Sequence, residues 1–418
     1  MKIQKENLRN YITSFFVPDN DIIRSTEKLS ISDGSFWAIY SSMTSPFLVP
    51  LSILLFGQNA QIGYITGIPV FLVPLAQFYA VKFTKISENL KNLTVIITLL
   101  DRLLWIPVIL LIFLPNYLEK FVLIIILLSL RTFFASASST TWTLWVPTII
   151  PSTSRNSYFS KRNFIMKIFS LIGYFVALLI FAGIPDYTIA IMTVFLTGVL
   201  VFSSISLLIM TRMPPFTLPV EERNDHKKIG GNFRFFIVFI LIFYLGSSML
   251  MPYYQLYILS SSYLNLSAYN YTIIFIIISI SAIISQLYWG KIADKYGLRK
   301  SIVINLVLTL LAIVLIIESK NLFEILVPSI LMGVTQSGLG LTIFNEMIGR
   351  SMNSRIKSIS TYNLFQSIAS ASGPIIANFL FNCNQSHIDL IFIISFILVL
   401  ISMILFAVER NSKIKFLQ

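Results

Sequence analysis

The sequence predicts an all-α integral membrane protein. Twelve transmembrane helices form two pseudo-symmetric six-helix bundles, with the N- and C-termini cytoplasmic. Three observations predict this: a composition too apolar for water, twelve apolar segments divided by basic connections, and a first half that recurs in the second.

Composition comes first. Hydrophobic residues make up 56% of the 418 and charged residues 12%, against roughly 25% charge in a soluble protein. Such a chain has too little polar surface to face water on all sides, so its apolar stretches read as spans. A single cysteine, Cys383, excludes an internal disulfide. The charges from Lys2 to Lys28 leave no uncharged run long enough for a signal-peptide core. The first span is therefore expected to be retained.

About 20 apolar residues cross the hydrocarbon core. On that measure spans fall at 34–56, 61–81, 93–114, 121–146, 164–184 and 188–210, then at 235–259, 270–290, 301–317, 324–347, 359–381 and 388–408. The long polar connection from Arg212 to Gly231, with Pro214, Pro215 and Pro219, reads as a linker. The domains are then a cytoplasmic tail at 1–32, a bundle at 33–211, a linker at 212–232, a second bundle at 233–408 and a tail at 409–418. Lys and Arg set the orientation. With the N-terminus inside, only Lys120 and Lys320 of the 31 basic residues fall in outer loops, and Arg102 and Arg131 fall near the middle of spans. The net charge of +13 thus lies along one membrane face, where it meets anionic lipid rather than nucleic acid.

The halves repeat. Ser41-Ser42-Met43-Thr44-Ser45-Pro46-Phe47 in span 1 matches Ser247-Ser248-Met249-Leu250-Met251-Pro252-Tyr253 in span 7. Gln77-Phe78-Tyr79 matches Gln286-Leu287-Tyr288, and Ser154-Arg155 through Gly173 matches Ser354-Arg355 through Gly373. The three matches keep chain order at an offset of about 200 residues. Six spans return each half to the same side, so the repeats are parallel about an axis along the membrane normal. Pro46 and Pro252, related by the repeat, suggest a shared hinge, and Pro374 a further kink. Gly63 and Gly67 read as a close helix contact.

Gly290-Lys291-Ile292-Ala293-Asp294-Lys295-Tyr296-Gly297-Leu298-Arg299-Lys300 resembles the signature loop of the major facilitator superfamily. In the family that loop joins spans 2 and 3, with a copy between 8 and 9; here only the copy keeps its glycines and aspartate. Leu130-Arg131-Thr132-Phe133-Phe134-Ala135 resembles the family's span-4 arginine motif, with alanine in place of the usual glycine. The resemblance implies two bundles around a central cavity, working by alternating access. On the loop itself, Gly290 and Gly297 permit close approach and a tight turn. Asp294 suits the positive N-terminus of span 5, near Ser157. Arg299 is placed to pair with Glu346, and Lys300 completes the motif. The loop then reads either as a latch on the inner gate or as a solvated basic loop that sets topology.

Ionisable residues inside spans are costly and become functional candidates. Asp101 and Arg102 sit near the middle of span 3 and Arg131 near the middle of span 4. Neighbouring residues do not face each other on a helix, so Asp101 is expected to pair with Arg131. The pair reads as a proton site with Arg131 tuning Asp101, or as a permanent ion pair. Arg131, Ala135, Ser138, Trp142 and Trp145 form one helical stripe. Trp142 is expected in a cavity wall and Trp145 at the membrane interface. In the family spans 1, 4, 7 and 10 line the path, which implicates Trp37, Tyr253, Gln255, Gln336 and Asn345. An amide facing lipid is expensive, which favours the cavity for Gln255 and Gln336. Arg131 stands out as the unambiguous buried cavity cation and hints at an anionic solute or antiport.

An enzyme is not expected. His226 falls in the linker and His387 in an outer loop, and no metalloprotease, hydrolase or phosphate-loop motif is present. No catalytic residue, metal site or cofactor is predicted. The expectation is a multi-pass secondary transporter of the cell membrane, moving a small solute with proton coupling and working as a monomer among membrane lipids. An uncoupled facilitator and a lipid-handling, scramblase-like protein are the alternatives.

Overall fold

The computed structural model describes residues 20–57, 61–87, 89–115, 118–151, 155–215, 231–350, 355–383 and 388–415. Among them are twelve helices long and apolar enough to cross a membrane. Spans 1 to 6 are Ile22–Phe56, Ile62–Thr84, Leu90–Phe113, Glu119–Pro147, Tyr158–Gly183 and Tyr187–Thr211. Spans 7 to 12 are Phe233–Leu259, Ala268–Tyr296, Leu298–Glu318, Leu322–Arg350, Ser358–Asn382 and Ile388–Val408. Large apolar side chains such as Phe78, Phe113, Leu179, Phe235 and Phe323 stand exposed around the outside. That surface suits hydrocarbon and would be unstable in water. Of the expected linker, 216–230 lie outside the described residues, as do 1–19 of the N-terminal tail.

Local chemistry sets several helix starts. Asn89, Asp186 and Ser267 cap their helices by accepting from the N–H of Asn92, Ile189 and Asn270, satisfying donors that the first turn leaves unpaired. The first helix already begins at Asn20, so the residues expected as the end of a tail extend it instead. Its interruption at Ser45–Phe47, between Asn20–Thr44 and Leu48–Phe56, coincides with Pro46, which lacks an N–H to donate. The repeat-related Pro252 stays within the continuous helix Gly231–Leu259, so the interruption is not repeated there. Span 3 breaks at Leu104, where Pro107 cannot donate to the Leu103 carbonyl. Span 6 carries a π-turn at Thr197–Ser203.

The repeat is visible in packing. A Cβ at Gly173 would run into Ser42 Oγ and the Ile39 carbonyl, and a Cβ at Gly373 would run into Ser248 Oγ and the Leu245 carbonyl. The same serine-into-glycine contact therefore joins span 1 to span 5 and span 7 to span 11.

The two bundles close on each other at the end where spans 1 and 2 connect. Gly63 and Gly67 lie against the carbonyls of Pro374 and Ala371, with no room for a side chain. This bears out the close helix contact expected there. Asn378 Oδ1 accepts from Gly63 N at 3.1 Å and from the Tyr253 hydroxyl at 3.3 Å. The Tyr271 hydroxyl donates to the Pro46 carbonyl, with Gln255 Oε1 3.0 Å away. Toward the other end a cavity of about 870 Å³ separates Gln77, Lys82 and Thr143 of one bundle from Ser360 and Asn363 of the other.

Candidate functional site

The first bundle encloses a charged cavity of about 340 Å³, lined entirely by residues from spans 1, 3, 4, 5 and 6. Asp101 on span 3 faces Arg131 on span 4, Oδ1 to Nε, at 3.4 Å. This is the pairing expected from helix geometry. Arg102 Nε also lies 4.0 Å from Asp101 Oδ2. The Arg102 guanidinium otherwise turns the opposite way. It donates to the Ser203 carbonyl at 2.9 Å and to Ser206 Oγ at 3.3 Å. Ser203 ends the π-turn of span 6, a distortion often found at functional sites. Ser206 in turn donates to Asp33 Oδ1 at 2.7 Å. One chain of polar contacts thus runs Asp33–Ser206–Arg102–Asp101–Arg131.

Aromatic rings hold the cations. Arg102 lies over Tyr40 at 4.8 Å, Arg131 over Trp105 at 4.5 Å and Arg162 over Trp142 at 4.3 Å. Trp105 Nε1 donates to the Tyr40 hydroxyl at 2.6 Å, tying spans 3 and 1 together. Asp101 Oδ1 and Arg131 Nε make no hydrogen bond among the described residues. Their attraction is therefore electrostatic, in surroundings where charge is poorly screened.

A second cavity of about 450 Å³ lies between the bundles. Spans 1 and 5 wall one side and spans 7, 8 and 10 the other. Lys167, Gln255 and Gln336 all line it. Lys167 Nζ donates across the interface to Gln286 Oε1 on span 8. A smaller recess shares Lys167 and Tyr174 with this cavity and Trp37 and Ser41 with the first. The recess therefore lies between the charged cavity and the interface cavity, beside Trp37.

At the open end, Glu346 on span 10 holds two arginines. Its Oε1 lies 3.7 Å from Arg299 Nε and 2.8 Å from Arg350 Nη2. The turn between spans 8 and 9 is a single residue, Gly297, at φ 85°, a left-handed conformation that favours glycine.

The Major Facilitator Superfamily description matches residues 236–416, the second bundle. Solved structures of the same fold cover the rest. A bacterial homologue of the iron transporter ferroportin, in an inward-facing state, is 13% identical over 92% of this chain and 98% of its own, with a TM-score of 0.69. The second bundle thus matches the major facilitator superfamily, and the chain as a whole shares the fold of these solved transporters. The solved structures that share this fold are of membrane transporters. A bacterial homologue of the human lysosomal transporter Spinster is 11% identical over 95% and 99% of the two chains, with a TM-score of 0.66. The E. coli fucose:proton symporter is 13% identical over 92% and 98%, with a TM-score of 0.60. No curated protein matches the chain in sequence.

Within this superfamily fold, the residues singled out from sequence separate into groups. Trp37, Asp101, Arg102, Arg131 and Trp142 line the charged cavity, and Gln255 and Gln336 the interface cavity. Tyr253 lines neither: it is buried in the closed end against Phe381 and Asn378. Asn345 is exposed and lies outside both cavities. Trp145 is no interfacial anchor. It is fully buried and donates to the Pro214 carbonyl, packed with Leu90, Met210 and Met213. The predicted stripe thus turns into the bundle one turn past Trp142. Residues 290–296 belong to the helix of span 8 rather than to a loop. A side chain at Gly290 would meet nothing, so Gly290 makes no close approach here. Asp294 and Lys300 are exposed, and Asp294 has no ion-pair partner among the described residues. Ser157's side chain, the neighbourhood expected for Asp294, lies outside what is described.

Arg131 is not the lone cavity cation. Arg102 and Arg162 share its cavity and Lys167 lines the next. Arg162 and Lys167 counted in sequence as loop charges, although Lys167 already fell inside the span placed at 164–184. Asp33 was not singled out in sequence, yet it lies one turn before Trp37 on the face that carries Trp37 and Ser41. That spacing was the signal available. Among the described residues no cluster of His, Cys, Asp and Glu could hold a metal ion.

Proposed function

We propose that the chain is a proton-coupled secondary transporter of the cell membrane, working as a monomer by alternating access. The observation that carries the reading is the buried Asp101–Arg131 pair and its connection through Arg102 and Ser206 to Asp33. Buried ionisable groups are expensive in a membrane, and two acids linked through an arginine inside one bundle form a path along which a proton can be held and released. Protonation of Asp101 frees Arg131, and Asp33 takes the role of a second acid on the same network. The fucose:proton symporter is an ion-coupled transporter on this fold, which supports the reading by analogy.

Both termini are cytoplasmic, because the basic residues then collect inside. Residues 33–211 and 233–408 are the two moving bundles, joined by 212–232. In that orientation the closed end is the outer one. Glu346 with Arg299 and Arg350, and the turn at Gly297, form the latch of the inner gate. These pairs are formed with the inner end open, so in this reading they part as the inner gate closes. Asp294 and Lys300 serve the latch in the opposite state.

The test uses proteoliposomes loaded with a pH-sensitive dye and challenged with pools of sugars, amino acids, organic acids and nucleosides. Coupling predicts that at least one pool moves protons with the solute, and that Asp101→Asn abolishes the proton signal. Solute exchange that ignores a pH gradient and survives Asp101→Asn would make the chain an uncoupled facilitator. Scrambling of a fluorescent lipid without any solute exchange would establish the lipid-handling alternative.

A further inference from the structure

Two cavities with different charge balance suggest a division of labour. In the first-bundle cavity each cation already has company. Asp101 lies within 4.0 Å of both Arg131 and Arg102, and Arg102 also bonds Ser206, which bonds Asp33. Arg162 stacks on Trp142 and donates to the Ser30 carbonyl. Lys167 differs. It lies within span 5, yet no Asp or Glu lines either cavity that it borders. Among the described residues its hydrogen-bond partner is a neutral amide, Gln286. An ammonium inside the membrane without a counter-charge is costly, and an anion supplied from outside would remove that cost.

Its position matters as much as its charge. The Asp101–Arg131 cavity is walled by one bundle alone, so a solute there would not feel the bundles separate. The Lys167 cavity is walled by both. For ligand binding to bias a conformational equilibrium, the ligand must interact differently with the two states, and a site that the motion divides meets that condition. Gln255 and Gln336 face the same space from the second bundle. Each offers amide donors and an acceptor, enough to hold the polar remainder of a small molecule. Lys167 also bridges to the second bundle through Gln286, so an anion that takes over the ammonium loosens a contact between the halves.

We propose that Lys167 is the recognition site for the transported solute, and that this solute is a small organic anion bearing a carboxylate. Gln255, Gln286 and Gln336 complete the site from the other bundle. The proposal rests on the transport reading above. It assigns proton handling to the Asp33–Asp101 network and solute binding to the interface.

The experiment uses the purified full-length chain and matched probes: acetate with acetamide, benzoate with benzamide, glutarate with glutaramide, and citrate. Thermal stability is measured at rising probe concentration for the natural sequence, Lys167→Gln, Lys167→Arg and Arg162→Gln. The expected result is that at least one carboxylate stabilises the protein while its amide does not. Its affinity falls at least about tenfold in Lys167→Gln, the scale of a lost charge-assisted hydrogen bond, and is largely kept in Lys167→Arg. Stabilisation by the amides alone, or by no carboxylate, overturns the proposal. So does carboxylate binding that survives Lys167→Gln and vanishes in Arg162→Gln, which would place the anion in the first bundle. Exchange of the radiolabelled carboxylate across proteoliposomes separates the two readings. Lys167-dependent binding without exchange sinks the transport reading and leaves the site; exchange that is indifferent to Lys167 does the reverse.

Discussion

Ser42 and Gly173 touch across spans 1 and 5 so closely that a Cβ on the glycine would overlap the serine hydroxyl. Ser248 and Gly373 repeat the contact in the second bundle. Without a hydrophobic force between helices in lipid, close backbone approach is a main source of packing energy. Gly173→Ala and Gly373→Ala should therefore each destabilise the protein by about 1–3 kcal/mol, the usual cost of overpacking. Thermal unfolding in detergent measures it. The contacts lie in different bundles, so the two losses should add in the double variant. An alanine at either site that leaves the melting temperature unchanged would contradict the contact.

Asp101 is buried between two arginines. Asp101→Asn leaves both cations without their carboxylate, and breaking a buried pair in this way costs about 3–5 kcal/mol. A marked drop in melting temperature is expected. Asp101→Asn combined with Arg131→Gln removes one uncompensated charge and should recover part of that loss. If the double variant is less stable than Asp101→Asn alone, the two residues are not acting as a pair.

The glycines of the signature motif should respond in opposite directions. Gly297 has φ 85°, where a side chain is strained by roughly 1–2 kcal/mol, so Gly297→Ala should lower the melting temperature. Gly290 is helical and a Cβ there meets nothing. Gly290→Ala should raise stability by about 0.5–1 kcal/mol, the ordinary helix preference of alanine over glycine. A Gly290→Ala protein that is more stable but transports more slowly would reveal a close approach made only when the inner gate shuts.

Asn378 joins the bundles at the closed end by accepting from Gly63 N–H and the Tyr253 hydroxyl. Asn378→Ala leaves the buried Gly63 N–H unpaired, at a cost of about 1–3 kcal/mol to the closed arrangement alone. The equilibrium should move toward opening at that end. Labelling of a Ser45→Cys reporter by an impermeant maleimide added outside should accelerate in Asn378→Ala. Labelling rates that match with and without Asn378→Ala would mean that this contact does not hold the end shut.

Releasing the latch should show in hydrogen exchange. Glu346→Gln removes the charge that holds Arg299 and Arg350, so amides near Gly297 and Arg350 should exchange faster. Slower or unchanged exchange there would sink the latch.

Sequence reasoning located the Asp101–Arg131 pair because two rules agreed. Charges inside a span need partners, and adjacent helical residues diverge. It placed Trp37, Trp142, Gln255 and Gln336 in cavities because polar groups avoid lipid. It missed Asp33, Arg162 and Lys167 as cavity residues for one shared reason. Each lies at the charged end of an apolar run, Asp33 and Arg162 just outside the spans drawn and Lys167 just inside one, where charge reads as loop. The helices continue: the first starts at Asn20 and the fifth at Arg155, because a helix needs only internal hydrogen bonds to go on and a cavity can shelter charge that lipid would reject. Trp145 was misplaced on the same kind of evidence, since tryptophan near a span end serves an interface or a core equally well.

The sequence by itself determined the number of spans, the likeness of the two halves and the preference for basic residues on one side. Those properties follow from the local cost of placing apolar and charged groups in hydrocarbon, summed along the chain. Only the tertiary structure decided which cations share a cavity with carboxylates and which one faces the partner bundle without one. That distinction depends on how far each helix is rotated about its own axis and which neighbour it meets. Rotation is set by close contacts such as Ser42 with Gly173, and those join residues far apart in the chain.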